Sequence, residues 1–146
     1  MKRNSQLSVA LHALLHMTER AEPLTSEELA ACFQINPVVI RRTMAGLREA
    51  GLVASERGHG GGWRLRREPG RISLRDVYAA LGEPMVFQMA PHTESPGCIV
   101  EQAVNGAMED AFEEARALLM SRFETITLAA LAADIAKRRK HCSKEG

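Results

Sequence analysis

Two clusters in the first half of the chain carry chemistry suited to phosphates and base edges. Adjacent arginines, Arg41 and Arg42, follow Asn36-Pro37-Val38, and Arg57 opens the run Gly58-His59-Gly60-Gly61-Gly62. A guanidinium is a rigid fork of donors that matches a phosphate or the O6/N7 edge of guanine. Glycines let a backbone come close to a phosphate, and Arg or His beside them is drawn to the negative potential of a narrow minor groove. A third group is nucleophilic. Cys98 follows Pro96-Gly97 and directly precedes an apolar-periodic run from Ile99. A thiol at a helix N-terminus meets unsatisfied N–H groups and the positive end of the dipole, which favour the reactive thiolate. Cys32 and Cys142 lie far from it in sequence. An odd, widely spaced set of three cysteines is no disulfide framework and predicts a reducing, cytoplasmic setting.

The charge distribution supports the first of these readings. Residues 1–75 hold 12 Lys and Arg against 7 Asp and Glu, a net +5, and 11 of the 12 are Arg. Residues 76–146 hold 7 against 11, a net −4. A basic half joined to an acidic half fits a nucleic-acid-binding head carried on an assembly segment. Aromatic residues make up only 4% of the chain, so the core must come from Leu, Ala, Ile, Val and Met, which suits helices.

The elements that would position these residues can be read from caps and periodicity. Leu7, Ala10, Leu11, Leu14 and Leu15 mark the buried stripe of a first helix over about Asn4 to Thr18. Thr25-Ser26-Glu27-Glu28 has capping-box spacing and opens a short helix to about Phe33 that buries Leu29, Ala30 and Phe33. Asn36 caps a third helix with Pro37 at its first position; Val39, Ile40, Met44 and Leu47 face inward, and Gly51 supplies the left-handed end. Arg41 and Arg42 cannot both join that buried stripe, so at least one faces out. Leu52–Ser55 and Trp63–Arg66 are expected strands around the glycine-rich tip. Ser73 caps a fourth helix through Val77, Tyr78 and Leu81 that Gly82 and Pro84 end. A loop over about Gln88 to Gly97 precedes a long helix, Ile99 to Phe123. Its Val100, Val104, Ala107, Met108, Ala111, Ala115, Leu118 and Leu119 share one face. A last helix runs from Thr127 to about Arg139.

Two short helices, a third capped helix and a two-stranded wing, in that order, make the winged helix-turn-helix plan. The expected fold is therefore mostly α with a small β-hairpin wing and a long C-terminal dimerisation helix. The expected divisions are a DNA-binding domain over 1–82, a sensor loop over 83–98, and dimerisation helices with a tail over 99–146. Recognition helices contact bases through their N-terminal residues. The expected DNA-contacting set is Ser26, Pro37, Val38, Arg41, Arg42, Arg57, Gly58, His59, Gly60 and Gly61.

The run Ser55-Glu56-Arg57-Gly58-His59-Gly60-Gly61-Gly62-Trp63-Arg64-Leu65 resembles the wing signature S-x-R-G-x-x-G-G-[YW]-x-L of the IscR/NsrR-type family of bacterial regulators. Ser26-Glu27-Glu28-Leu29-Ala30 and Leu47-x-x-Ala50-Gly51-Leu52-Val53 are similar to the same family, and the likeness covers nearly the whole chain. It implies a homodimer joined through the helix over 99–123, two DNA-binding heads on a palindromic double-stranded operator, and repression of transcription. Iron–sulfur members place three cysteines before the dimer helix, whereas this chain has only Cys98 there, and Ser8 where a carboxylate ligand can sit. A cluster needs four protein ligands, usually thiolates, so no cofactor is expected. Some cluster-free relatives pair a helix-2 cysteine with the one before the dimer helix, in a disulfide between subunits; the matching positions here are Cys32 and Cys98. The resemblance thus implies a redox- or electrophile-responsive thiol switch. An iron–sulfur or small-molecule-responsive regulator and a protein-interaction module that has lost DNA are the competing readings.

Other classes find less support. His12 and His16 are four apart on helix 1 but have no evident third ligand, so no metal site is expected. There is no nucleophile–base pair, and Gly60-Gly61-Gly62 lacks the Lys and the strand-then-helix setting of a phosphate loop, so no enzyme is expected. No apolar run reaches the roughly 20 residues of a membrane span.

Overall fold

The computed structural model describes residues 5–58, 61–84 and 97–143. Its elements are α1 (Ser5–Thr18), α2 (Ser26–Phe33), α3 (Pro37–Glu49), β1 (Val53–Glu56), β2 (Gly62–Leu65), a single 3-10 turn (Pro69–Arg71), α4 (Leu74–Ala80), α5 (Ile99–Thr125) and α6 (Leu128–Cys142). The fold is mostly helical with one small antiparallel sheet, as expected.

Each short helix begins where the side-chain chemistry says it should. The Thr25 hydroxyl accepts the Glu28 N–H at 3.1 Å while the Glu28 carboxylate accepts the Thr25 N–H at 2.8 Å, a complete capping box. Asn36 Oδ1 accepts the Val38 N–H at 2.9 Å, and Pro37 enters α3 without wasting a donor. Ser73 and Asp76 repeat the reciprocal pattern at α4. Gly51, with φ 76°, ends the α3 region in the left-handed conformation that a Cβ would disfavour.

The core of the head comprises Val9, Ala10, Ala13, Leu14 and Met17 of α1, Leu29 and Ala30 of α2, and Ile40, Met44 and Leu47 of α3, closed by Leu52, Val53, Ile72 and Val77. Inward assignments shift on three helices, and on α2 Phe33 is only half-buried. The fully buried edge of α1 runs through Val9, Ala13 and Met17 as well as Ala10 and Leu14, leaving Leu7, Leu11 and Leu15 only partly covered. The helix is packed by α3, β2, α4 and α6, so its covered arc is wider than one stripe. Val39 was expected inside but is 43% exposed, and Thr43 takes the buried place one turn further on.

The hairpin pairs Val53 with Leu65, Ala54 with Arg64, Ser55 with Trp63 and Glu56 with Gly62. Both strands sit one residue from their expected limits. Leu24 adds a third backbone to the sheet: its N–H donates to the Trp63 carbonyl at 3.0 Å and its carbonyl accepts the Trp63 N–H at 2.7 Å. This close approach explains Gly62, where a Cβ would lie 2.7 Å from Leu24 backbone atoms.

At the other end of the chain, α6 returns to the head. Leu128 is fully buried in the same core. The Leu74 N–H donates to the Ile126 carbonyl at 2.8 Å, and the Leu128 N–H to the Ile72 carbonyl at 2.9 Å. These two bonds form a clasp between the start of α4 and the α5–α6 turn. Tyr78 and Phe123 meet edge to face, and Arg75 pairs with Glu124 at 3.0 Å, so α4 lies along the last turns of α5. Among the described residues no helix is long and apolar enough to cross a membrane.

Candidate nucleic-acid interface and thiols

The N-terminal half of α3 is turned outward. Pro37 is half-buried, Val38 is 53% exposed, and Arg41 and Arg42 are both exposed. The buried stripe of Ile40, Thr43, Met44 and Leu47 holds the helix against α1 and α2 from the opposite side. Neither Arg41 nor Arg42 has a carboxylate partner among the described residues, so both guanidinium forks are free. The exposed surface here is two branched apolar side chains beside two unpaired cations, which suits thymine methyls and guanine or phosphate acceptors. Val39 was absent from the expected set, because its burial was inferred from a periodicity that fits equally well with Thr43 inside.

The wing offers a second cationic point. Arg57 is exposed and unpaired among the described residues, and Gly58 follows it at φ 95°. Arg64, on β2, is instead committed, donating to Glu56 at 3.0 Å and to the Ala21 carbonyl at 3.0 Å. Gly61 has an internal reason to be glycine, since a Cβ would lie 2.4 Å from the Glu56 carbonyl oxygen. His59 and Gly60 lie outside the described residues.

Ser26 is placed differently from the rest of the expected contacts. It is 8% exposed, and its hydroxyl accepts the Trp63 indole N–H at 2.9 Å. It acts as a strut between α2 and the wing, with the Arg48 guanidinium over the Trp63 ring at 6.0 Å from its centroid. The sequence carried no signal for this pairing across 37 positions.

The thiols are accessible: Cys32, Cys98 and Cys142 are all free and exposed. Cys98 occupies the N-cap position of α5, and its side chain makes no capping hydrogen bond, so the sulfur is not engaged by its own helix. Cys32 lines an open groove of about 610 Å³ between α1 and α2, together with Ser8, Val9, His12, His16, Phe33 and Ile35. The Phe33 ring stacks on His12 at 5.5 Å and tilts against His16 at 5.4 Å, so both imidazoles pack on an aromatic face. The segment before Gly97, which carries most of the expected sensor loop, lies outside the described residues. Among the described residues no three His, Cys, Asp or Glu side chains gather into a metal-binding group. Among the described residues the donors also fail to gather for an iron–sulfur cluster, because the three cysteines stand on α2, at the start of α5 and at the end of α6.

The α5 helix is 27 residues long and buries one side chain, Met120. Ile99, Val100, Val104 and Leu118 are 80%, 71%, 51% and 67% exposed, an apolar face that the head does not cover.

Three helices, the third a recognition-type helix with free arginines, and a wing braced by Leu24 define a winged helix-turn-helix DNA-binding fold. The chain belongs to the Rrf2 family, whose model, described as an iron-dependent transcriptional regulator, matches residues 3–134. It is 33% identical over 110 residues to the HTH-type transcriptional regulator YwnA of Bacillus subtilis, covering 75% of this chain and 81% of that one. With IscR of Aliivibrio salmonicida it shares 34% identity over 85 residues, spanning 57% of this chain but only 51% of that regulator. Among solved structures, T. potens IscR superposes with a TM-score of 0.70 at 22% identity, covering 92% of this chain and 88% of that one, a likeness of fold. The family and these relatives are transcriptional regulators rather than enzymes.

Proposed function

We propose that this regulator is a homodimeric repressor that reads a palindromic operator with Pro37, Val38, Arg41 and Arg42, grips the backbone through the wing from Arg57 to Gly61, and is switched by its thiols. The observation that carries the reading is the outward, unpaired arginine pair on the first turns of a recognition-type helix whose opposite face is fully buried. Two copies of such a head on a two-fold axis would meet two half-sites about one helical turn apart. The uncovered apolar face of α5 is the surface that would pair them. An exposed stripe of that kind on a helix about 40 Å long is a liability in a monomer and a seam in a dimer.

The switch rests on the accessibility of Cys98 and Cys32. A two-electron oxidant such as hypochlorous acid would be attacked by the Cys98 sulfur, giving a sulfenyl chloride and, with the thiol proton, water. The thiol of Cys32 of the partner subunit would then attack that sulfur, forming the disulfide as chloride leaves and the thiol proton passes to water. The disulfide would fix the start of α5 against an α1–α2 groove and alter the spacing of the two heads.

Reduced and hypochlorite-treated protein should be compared on a non-reducing gel and in operator binding. The expected result is a dimer band that requires both Cys98 and Cys32, with a matching change in operator affinity. If Cys98→Ser protein responds to oxidant as the parent does, the switch is not at this residue. A monomer in equilibrium sedimentation of the reduced protein would overturn the dimer.

A further inference from the structure

A second set of unpaired arginines lies at the base of the wing, away from its tip. Arg66, Arg67 and Arg71 line one open concavity of about 590 Å³ with Glu68. Several other arginines are neutralised by a carboxylate: Arg64 by Glu56, Arg75 by Glu124, Arg116 by Glu83, Arg138 by Asp134 and Arg139 by Glu19. Arg66, Arg67 and Arg71 have none among the described residues, although Glu68 stands between them. The backbone fixes where they start from. The Arg66 N–H donates to the Leu52 carbonyl at 3.0 Å and the Arg71 N–H to the Glu68 carbonyl at 2.8 Å. Arg67 reaches back over the end of α3, its Nη2 3.7 Å from where a Cβ on Gly51 would stand.

We infer that this concavity is a phosphate-binding site, distinct from the α3 and wing-tip surface. Three guanidinium groups and one carboxylate leave a net +2 around a space several times the size of one phosphate. A carboxylate ligand can take only one fork bidentately. A phosphate takes forks from several directions, and a diphosphate or a run of phosphodiesters takes more. Glu68 penalises a lone, weakly charged anion, so a multiply charged one is selected. The end of α3 is the negative end of its dipole, which holds the Arg67 cation in place before any ligand arrives. The phosphate has two sources: a small phosphorylated molecule, or the duplex backbone flanking the operator. The inference does not depend on the thiol switch.

Inorganic pyrophosphate titrated into the full-length reduced protein, followed by arginine Nε–H resonances, tests the site. Operator duplexes with and without ten extra base pairs on each side separate the two sources. Arg67→Ala and Arg71→Ala are exposed substitutions, and Arg122→Ala serves as a control on α5. A free phosphate ligand predicts saturable pyrophosphate binding that weakens about tenfold in either variant, with both operator lengths bound as before. The flanking backbone predicts that the variants weaken the long duplex alone and lower its salt slope by roughly one per arginine removed. Both results support the site. If pyrophosphate perturbs parent, variants and control alike, and duplex length makes no difference among them, the site does not exist.

Discussion

The indole N–H of Trp63 donates to the Ser26 hydroxyl at 2.9 Å, joining the second strand of the wing to the first turn of α2. With Leu24 pairing on the Trp63 backbone, one residue of the wing is held at both its main chain and its side chain. The wing therefore takes its angle from the helix-turn-helix. Ser26→Ala should cost about 1 kcal/mol, rising toward about 3 if the half-buried indole finds no other acceptor. Trp63 is the sole tryptophan, so its emission reports the change directly. An unaltered denaturation midpoint together with unaltered emission would show that the strut is absent in solution.

The two cationic points should fail in different ways. Arg41→Ala or Arg42→Ala should lose about 1–3 kcal/mol at one operator position and relax the base preference there. Arg57→Ala should weaken all sequences nearly equally and reduce the salt slope by roughly one. Binding to a panel of single-base operator variants at several salt concentrations distinguishes them. A uniform loss from both α3 variants would move the reading residues elsewhere.

Leu128 is a core residue supplied from the far end of the chain, and Leu128→Ala should cost about 2–5 kcal/mol by urea denaturation. Arg139, which reaches Glu19 from α6 at 2.9 Å, is exposed; Arg139→Ala should cost no more than about 1 kcal/mol. A small loss at Leu128 would mean that α6 does not belong to the head.

Acid should loosen α2 at its start. Glu28 is held below the ordinary carboxylate range first by the Thr25 N–H and then by the Thr25 hydroxyl. A carboxylate with a lowered folded-state pKa contributes stability that is fully present above the ordinary range and is lost as pH falls through its lowered value. Glu28→Gln should therefore flatten that part of the acid limb of a stability-versus-pH curve. An acid limb identical to the parent's would remove the capping box from the account.

Local chemistry was legible in the sequence, and long-range backbone geometry was not. Thr25, Asn36 and Ser73 announce their helices because a cap is complete within four residues. Gly51 and the wing glycines mark turns for the same reason. The pairing of Leu24 with Trp63 has no local signature, since either residue alone reads as an apolar position. Ser26 looks like an exposed N-terminal serine until Trp63 arrives from the wing. Val39 and Thr43 are interchangeable in a helical period, and only the packing of α1 and α2 decides between them. The clasp of Ile72 and Leu74 on Ile126 and Leu128 joins segments more than fifty residues apart.

That clasp gives the long helix mechanical leverage. It grips α5 at one end, whereas Cys98 stands at the other, roughly 40 Å away along the axis. A pivot of about 5° at the grip sweeps the Cys98 end through roughly 3–4 Å, and a push of that size at that end returns as a small turn of α4 and the head. The geometry trades distance for torque: a modest displacement beside Cys98 becomes a fine rotational adjustment of the helix-turn-helix.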